Sequence, residues 1–274
     1  MEKAKKKKVK IRFKNKKAAI TAVALAVAVL LVICLCIWGI VKLATRNDRE
    51  VALELHPDFT VTALSGSPDS TPNTLSYIKN AATCGAQIIE VDLMFNSKGE
   101  PVLTDNFNSI DSDKTVPLTK AFSTLKEYPD VSIMLDLHAL TNLARIEELA
   151  ERYNMFSRIY YSGVTMENYE YVIEKSPNIP IFLEVDLSSE KADNLEYYDY
   201  LRDAMANAYA VNVDFDDLDA EWAELLVSDG QRVSVYNISS NKDFSKALDM
   251  SVANIITDRP GELQALILDW LTVR

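Results

Sequence analysis

The stretch TPNTLSYIKNAATCGAQIIEVDLMFNSKGEPVLTD, residues 71–105, decides the fold. Its first part has a helical pattern over 73–83, and the apolar, β-branched run over 88–94 predicts a buried strand. Residues 96–99 read Asn-Ser-Lys-Gly, which is typical of a hairpin turn, and 101–103 supply the returning strand. The stretch therefore predicts a helix, a strand and an antiparallel extension of that strand.

The alternation of strand and helix continues along the chain. Apolar runs predict eight strands, at 59–64, 88–94, 132–137, 159–161, 181–185, 210–213, 232–236 and 254–256. Helical patterns lie between them, at 73–83, 119–127, 141–153, 165–175, 194–207, 220–228 and 242–249, and 261–273 closes the chain; the candidate N-caps are Asn73, Thr119, Thr141, Thr165 and Asn194. Eight such units predict a (β/α)8 TIM barrel over residues 59–274, with a doubly wound open sheet as the alternative.

Acidic side chains cluster at the predicted strand ends. Glu90 and Asp92 share one face of the second strand because they are two residues apart, and Asp136 and His138 do the same at the end of the third. The C-terminal strand ends of a barrel form its active site. Several carboxylates at one mouth repel each other unless a hard cation lies among them, and oxygen ligands favour Mg²⁺ or Ca²⁺.

The charge is divided unevenly along the chain. The formal net charge is −11, but residues 1–17 are strongly basic, whereas residues 47–274 are strongly acidic. An acidic main domain excludes a nucleic-acid binder, because such binding depends on Lys and Arg at phosphates. Glu184 and Asp186 repeat the two-residue spacing at the end of the fifth strand. Because the domain is rich in acids, chance placement is the alternative explanation for this pair.

Residues 71–105 resemble the glycerophosphodiester phosphodiesterase family in the order and spacing of short motifs. The motifs that fit in register are Asn73-Thr74, Gly85-Ala86, Glu90-x-Asp92, Lys98-Gly99 and Pro101-Val102. Near the C-terminus, residues 252–260 (VANIITDRP) resemble the closing strand of the family, and 229–236 resemble the strand before it. The resemblance covers residues 59–263 and implies the same (β/α)8 barrel.

The resemblance also implies roles for individual residues. Glu90 and Asp92 would be metal ligands, and Asp136 would replace the Glu that provides the third ligand. His138 would replace a Lys that faces the phosphate. Tyr236 would line the substrate, in the strand where the family has Trp-Thr. The implied cofactor is a divalent metal, Ca²⁺ or Mg²⁺.

The chain departs from the family at both catalytic histidines. The family's His-Arg-Gly falls on 63–65 (Ala-Leu-Ser) or, after a slip of one residue, on 64–66 (Leu-Ser-Gly), and neither offers an imidazole. The second histidine falls on Asp105. The chain has two histidines, and His56 precedes the first strand. Losing one general acid or base costs about 10²–10⁴-fold in rate, so weak or absent catalysis is expected, with Asp105 as a replacement base and His138 as a replacement acid.

The N-terminal region has the pattern of a membrane anchor. Residues 1–17 form a basic head, and 18–41 contain no charged side chain, which is long enough for a transmembrane helix assigned to 18–45. The positive-inside rule places the N-terminus in the cytoplasm and the main domain outside, after a linker over 46–58. A cleavable signal peptide is the alternative, but the apolar run exceeds its usual length of about 7–15 residues.

These observations support two hypotheses of different classes. The first is a membrane-anchored, extracytoplasmic, metal-dependent phosphoric diester hydrolase acting on lipid-derived glycerophosphodiesters or glycerophosphate polymers. The second is a non-catalytic ligand-binding or cell-surface interaction module on the same barrel. A purely structural surface protein is a third possibility, and stabilisation by a metal would separate it from the other two.

Overall fold

The computed structural model describes residues 55–67, 69–188 and 195–272. They belong to one compact unit, Glu54–Arg274. The predicted basic head at 1–17, the transmembrane helix at 18–45 and nearly all of the linker at 46–58 lie outside these residues and stay predictions. No helix in the described part of the chain is both long and apolar enough to span a bilayer.

Ten strands form one sheet that closes on itself. They are β1 (Thr60–Ala63), β2 (Ile88–Phe95), β3 (Pro101–Leu103), β4 (Val116–Pro117), β5 (Ser132–Leu137), β6 (Ile159–Thr165), β7 (Ile181–Glu184), β8 (Ala210–Asp214), β9 (Val233–Tyr236) and β10 (Asn254–Thr257). Eight of them, β1, β2 and β5–β10, run parallel, and β1 pairs with both β2 and β10. The (β/α)8 barrel is therefore confirmed, and the open sheet is wrong.

Eight α-helices in the described ranges connect and cover the strands. They are α1 (Leu75–Thr83), α2 (Leu118–Leu125), α3 (Leu143–Tyr153), α4 (Tyr169–Lys175), α5 (Leu195–Met205), α6 (Ala220–Ser228), α7 (Asn241–Asp249) and α8 (Pro260–Thr272). Four predicted N-caps are wrong, because Thr74, Pro117, Asn142 and Asn168 precede the first helical residues instead of Asn73, Thr119, Thr141 and Thr165. The fifth, Asn194, lies outside the described residues.

The β2–β3 hairpin forms as the sequence predicts. Asn96 Oδ1 accepts hydrogen bonds from the N–H groups of Lys98 and Glu100, both at 3.0 Å, and Gly99 has a positive φ of 74°. β3 runs antiparallel to β2, and the N–H of Thr104 donates to the carbonyl of Asp92. The hairpin thus sets the chain after β3 against the C-terminal half of β2.

The barrel interior contains a small apolar cluster. It consists of Ile88, Met134, Phe182, Ala210 and Ile256, with Tyr160, Tyr209 and Tyr236 packed against them. Side chains two residues apart on a strand share its face, so Glu90 and Asp92 face the interior on the same side of β2 as Ile88. The larger core lies between the sheet and the helices. Each buried apolar side chain there contributes about 1.5–3 kcal/mol.

Strand β6 is longer than the sequence predicts. It runs over Ile159–Thr165 and contains an irregularity between Tyr161 and Val164, where the pairing with β7 shifts register. Gly163 lies inside this irregularity with φ of 68°. The bulge interrupts the alternation of apolar residues, so the sequence pattern does not show that the strand continues beyond residue 161. Because the strand runs to Thr165, α4 begins at Tyr169 rather than at the predicted residue 165.

Candidate functional site

Three side chains converge at the C-terminal mouth of the barrel. Asp92 and Asp136 are in register on β2 and β5, and His138 follows β5 on the same face. His138 Nε2 lies 3.0 Å from Asp92 Oδ1 and 3.0 Å from Asp136 Oδ2. In the tautomer that carries its proton on Nε2, His138 donates that proton toward these two carboxylate oxygens.

A set of hydrogen bonds behind these three residues fixes the carboxylates. Asn73 Nδ2 donates to Asp92 Oδ2 at 2.6 Å, and Asn73 Oδ1 accepts from the backbone N–H of Asp92 at 2.9 Å. Ser65 Oγ donates to the same amide oxygen, and the Ser65 N–H donates to Glu90 Oε2 at 2.6 Å. The loop after β1 and the residues before α1 therefore hold two acids of β2 in place.

The acids at the mouth share an unfavourable electrostatic environment. Burial, with the charges of Asp92 and Asp136, raises the pKa of Glu90 well above its ordinary value. Burial also raises the pKa of Asp136, against the opposing effect of nearby His138. Inward carboxylates whose pKa is raised by burial and by one another are the pattern expected where a cation compensates their charge.

Glu184 extends this acidic environment across the barrel. Its Oε1 accepts a hydrogen bond from the N–H of Gly163 at 3.2 Å, and burial followed by the charge of Asp136 raises its pKa. Further along the rim, Tyr236 is in register with Asp214. Burial and the nearby carboxylates, Glu184 first among them, raise the pKa of Tyr236 to about 12. Tyr236 is thus a neutral phenol at the mouth.

The two positions implied for catalytic histidines offer no substitute imidazole. Leu64 directly follows β1, and Thr62, two residues before it, pairs in register with Ile88. By the same alternation Leu64 faces the mouth beside Glu90, and it is 40% exposed. Asp105 is exposed, and within residues 55–67, 69–188 and 195–272 no group hydrogen-bonds to its side chain. The structure therefore brings Asp92, Asp136 and His138 together, and among the described residues no hydrogen bond ties Asp105 to them.

The three convergent residues fit a divalent cation. One ligand atom from each of Asp92, Asp136 and His138 lies within 4.8 Å of the others. Ions bound to oxygen or nitrogen at about 2.0–2.6 Å need ligand atoms at this separation. Glu90, buried immediately below, adds negative charge. Occupation by a metal would require Nε2 of His138 to release its proton, because only the neutral imidazole ligates.

Sequence reasoning missed three residues that shape the site. Asn73 was expected to cap α1, but its left-handed backbone (φ of 59°) turns its amide toward Asp92. Gly163 admits the Asp136 carboxylate, because a Cβ there would meet Asp136 Oδ1 at 2.7 Å. Asn212 lies on β8 among the inward side chains. Only Asn73 carried a usable signal, its place in the Asn73-Thr74 motif.

The parallel barrel places this chain among the TIM barrels, and the carboxylate–imidazole cluster at its mouth is one that could hold a metal ion. No protein-family model and no curated protein sequence matches this chain. Solved structures do match, and they are glycerophosphodiester phosphodiesterases. The suspected resemblance to that family is thereby confirmed for the fold.

Three of these structures illustrate the likeness. A protein assigned as a glycerophosphodiester phosphodiesterase from Galdieria sulphuraria has a TM-score of 0.64 and 17% identity, over 77% of this chain and 98% of its own. A phosphodiesterase from Oleispira antarctica, in complex with the product sn-glycerol-3-phosphate, has a TM-score of 0.63 and 15% identity, over 76% and 96%. The glycerophosphodiester phosphodiesterase of Thermotoga maritima has a TM-score of 0.60 and 14% identity, over 77% and 99%.

Proposed function

We propose that this chain is a divalent-metal-dependent phosphodiester hydrolase of low turnover, acting on glycerophosphodiesters. The observation that carries the proposal is the convergence of Asp92, Asp136 and His138 at the mouth of a barrel with this fold. The product complex of the Oleispira antarctica neighbour supports a small phosphodiester as the substrate. A glycerophosphate polymer presents the same chemical group.

The proposed roles follow from the positions of the side chains. Asp92 and Asp136 would hold the metal, with Glu90 supporting them from below. His138 would either complete the ligand set or, when it carries a proton on Nε2, bind a phosphoryl oxygen and protonate the leaving alcohol. A bound divalent ion, Ca²⁺ or Mg²⁺, would polarise the phosphoryl group and offset its negative charge.

The expected turnover is slow because general acid–base groups are scarce. Leu64 lies where an imidazole is expected from the family resemblance, and Asp105 is the replacement candidate for the second histidine. A solvent-exposed carboxylate is a weaker general base than the imidazole that it replaces. The loss of even one well-matched acid or base accounts for about 10²–10⁴-fold.

A non-catalytic ligand-binding module on the same barrel is the second candidate function. The two positions implied for catalytic histidines favour it, because Leu64 and Asp105 offer no imidazole for acid–base catalysis. The proposal also keeps the cell-surface setting: a membrane anchor over 18–45 with the barrel on the extracytoplasmic side. That setting rests on the sequence pattern alone.

Hydrolysis assays on the full chain test the proposal. The chain would be purified in detergent, because residues 18–41 are strongly apolar, and given glycerophosphocholine and a generic phosphodiester with Ca²⁺, Mg²⁺ or EDTA. We expect slow, EDTA-sensitive release that the Asp92→Asn variant abolishes. The matched control is Asp130→Asn, which changes an exposed acid in the loop before β5, at the opposite end of the barrel.

The outcomes separate the two candidates. Release that survives Asp92→Asn would contradict the assigned site. No release from folded protein, with a metal-dependent rise in melting temperature that Asp92→Asn removes, would replace the hydrolase by the binding module. No release and no metal effect would exclude both.

A further inference from the structure

Beside Asp92, Asp136 and His138, which we call the metal-ligand cluster, the barrel mouth carries a second group of acids. We call this group the acidic rim and define it as Glu184, Asp186, Asp214 and Asp217, at the ends of β7 and β8. Asp214 accepts hydrogen bonds from the N–H of Asp216 and from Asn237 Nδ2. Across the described part of the chain, no Lys or Arg forms an ion pair with Glu184, Asp214 or Asp217. Among the described residues, Glu184, Asp214 and Asp217 therefore have no cationic partner.

A buried amide lies directly beneath this rim. Asn212 is two residues before Asp214 on β8, so both face the lumen, and it is in register with Glu184 and Ser234. Its side chain is 2% exposed, and among the described residues its Oδ1 has no hydrogen-bond partner. A buried acceptor without a donor is costly, so its retention points to a donor supplied from outside the chain.

The side chain of Asn254 is a second inward-facing amide, and it provides a comparison for Asn212. Asn254 Oδ1 accepts from the hydroxyls of Thr60 and Thr62, both at 2.8 Å, and its Nδ2 donates to Ser234 Oγ. Asn254 thus satisfies both ends of its amide within the barrel. Of these two inward amides, only Asn212 on the β7–β8 side has an acceptor without a partner among the described residues.

The chemistry of these groups specifies the ligand. Asn212 Oδ1 and the rim carboxylates are all acceptors, so the group that fits carries positive charge and N–H donors. A primary ammonium has both, whereas a quaternary ammonium has no N–H to offer. A second metal ion fits less well, because among the described acids and histidines only Asp92, Asp136 and His138 offer three ligand atoms within 4.8 Å of one another.

The acidic rim is continuous with the metal-ligand cluster. Gly163 joins them: its N–H donates to Glu184 Oε1, and its Cα lies so close to Asp136 that a Cβ would meet Asp136 Oδ1 at 2.7 Å. Gly163 therefore makes the two groups of side chains neighbours, so a phosphodiester bound at Asp92 and Asp136 would extend its alcohol toward the side of the mouth that Glu184 occupies.

We propose that Glu184, Asn212 and Asp214 bind a primary ammonium group on the alcohol of the phosphodiester. The substrate class is then an aminoalkyl phosphodiester, preferred over its trimethylammonium counterpart. This inference rests on the proposed function, whose metal-ligand cluster holds the phosphate.

The test compares glycerophosphoethanolamine with glycerophosphocholine on the full chain, with Ca²⁺ or Mg²⁺ present. We expect the ratio of kcat/KM to favour the primary amine by about tenfold or more, the usual effect of one charge-assisted hydrogen bond. The Asn212→Leu variant removes the acceptor with little change in volume, and Asp214→Asn removes a rim charge. Each should lower the ratio to within about threefold of one.

The matched control is Asp216→Asn, which removes an exposed charge from the same turn and should leave the ratio unchanged. In parallel, phosphoethanolamine and phosphocholine are compared as ligands by the rise in melting temperature of the wild-type chain. Equal use of both compounds, or preference for choline, overturns the inference and leaves the proposed hydrolase intact. Preferential binding of phosphoethanolamine without turnover supports the inference while removing the hydrolase. Absence of turnover and of binding overturns both.

Discussion

The single residue that most determines the geometry of the metal-ligand cluster is Asn73. Its left-handed backbone, φ of 59°, directs the amide away from α1 and onto both the backbone and the carboxylate of Asp92. An outer group that fixes the orientation of a ligand is nearly as important as the ligand itself. Asn73 is therefore a positioning residue, and Thr74 is left to cap the helix.

We predict that Asn73→Gly weakens metal binding by about 10–100-fold. The variant removes the Asn73 amide, which is hydrogen-bonded to both the carboxylate and the backbone N–H of Asp92. Glycine tolerates the positive φ, so backbone strain does not contribute. Calorimetric titration with Ca²⁺ or Mg²⁺ measures the effect. The matched control is Asn154→Gly, which has φ of 58° at the end of α3 and lies far from the mouth. Equal loss of metal affinity in the two variants would refute the positioning role.

At the scale of elements, the bulge in β6 is the feature that admits the site. Gly163 combines φ of 68° with close approach to Asp136 Oδ1 and to the N–H and carbonyl of Leu137. A side chain at this position would displace the Asp136 carboxylate. Bulges of this kind are common beside active sites, where they redirect a strand.

We predict that Gly163→Ala destabilises the barrel by more than the roughly 1–2 kcal/mol that a left-handed alanine costs, since its Cβ also displaces Asp136. Gly230→Ala separates the two causes, because Gly230 has φ of 79° and a Cβ there meets nothing within 4 Å. Chemical denaturation of both variants gives the two free energies of unfolding. If Gly163→Ala lowered the free energy of unfolding no more than Gly230→Ala does, the result would contradict the close contact between Gly163 and Asp136.

The elements also show how far sequence reasoning reaches. All eight parallel strands and the hairpin could be predicted, because apolar runs such as 88–94 and the turn at 96–99 are local signals. The placement of Asp92, Asp136 and His138 followed from strand alternation. The Asn73–Asp92 contact joins residues 19 apart, and the unpartnered Asn212 depends on the neighbours of β8. Such features arise from tertiary packing, which periodicity does not encode.

For the whole molecule, the decisive property is the negative charge gathered at one end of an already acidic barrel. The pKa values of Glu90, Asp136 and Glu184 are all raised, with burial as the largest cause and neighbouring acids adding to it. The folded, metal-free chain therefore keeps protons that the unfolded chain releases. A cation that binds the ionised carboxylates removes this penalty, so metal affinity and pH are linked through folding.

The sign of the pH dependence follows from these raised values. Because the folded state binds more protons, stability in EDTA is fully present below the ordinary carboxyl pKa of about 4. It falls as pH rises from there through the raised folded values. A metal at about 100 times its Kd adds roughly 2.7 kcal/mol, or about 5–10 °C in melting temperature. We expect that gain near pH 8 and little of it near pH 5, where protons compete for the same carboxylates.

Melting curves with and without Ca²⁺ or Mg²⁺, taken between pH 4 and pH 8, measure this linkage, and the Glu90→Gln variant identifies its source. Glutamine keeps the shape of Glu90 but cannot ionise, so the fall in stability with pH in EDTA should become shallower. Glu224→Gln, on the exposed face of α6, removes the same charge from the surface and should leave the slope as it is. A metal-induced shift of equal size at pH 5 and pH 8 would show that buried, protonated carboxyls do not form the site. The cation would then bind to surface acids, where no proton has to leave before the metal enters.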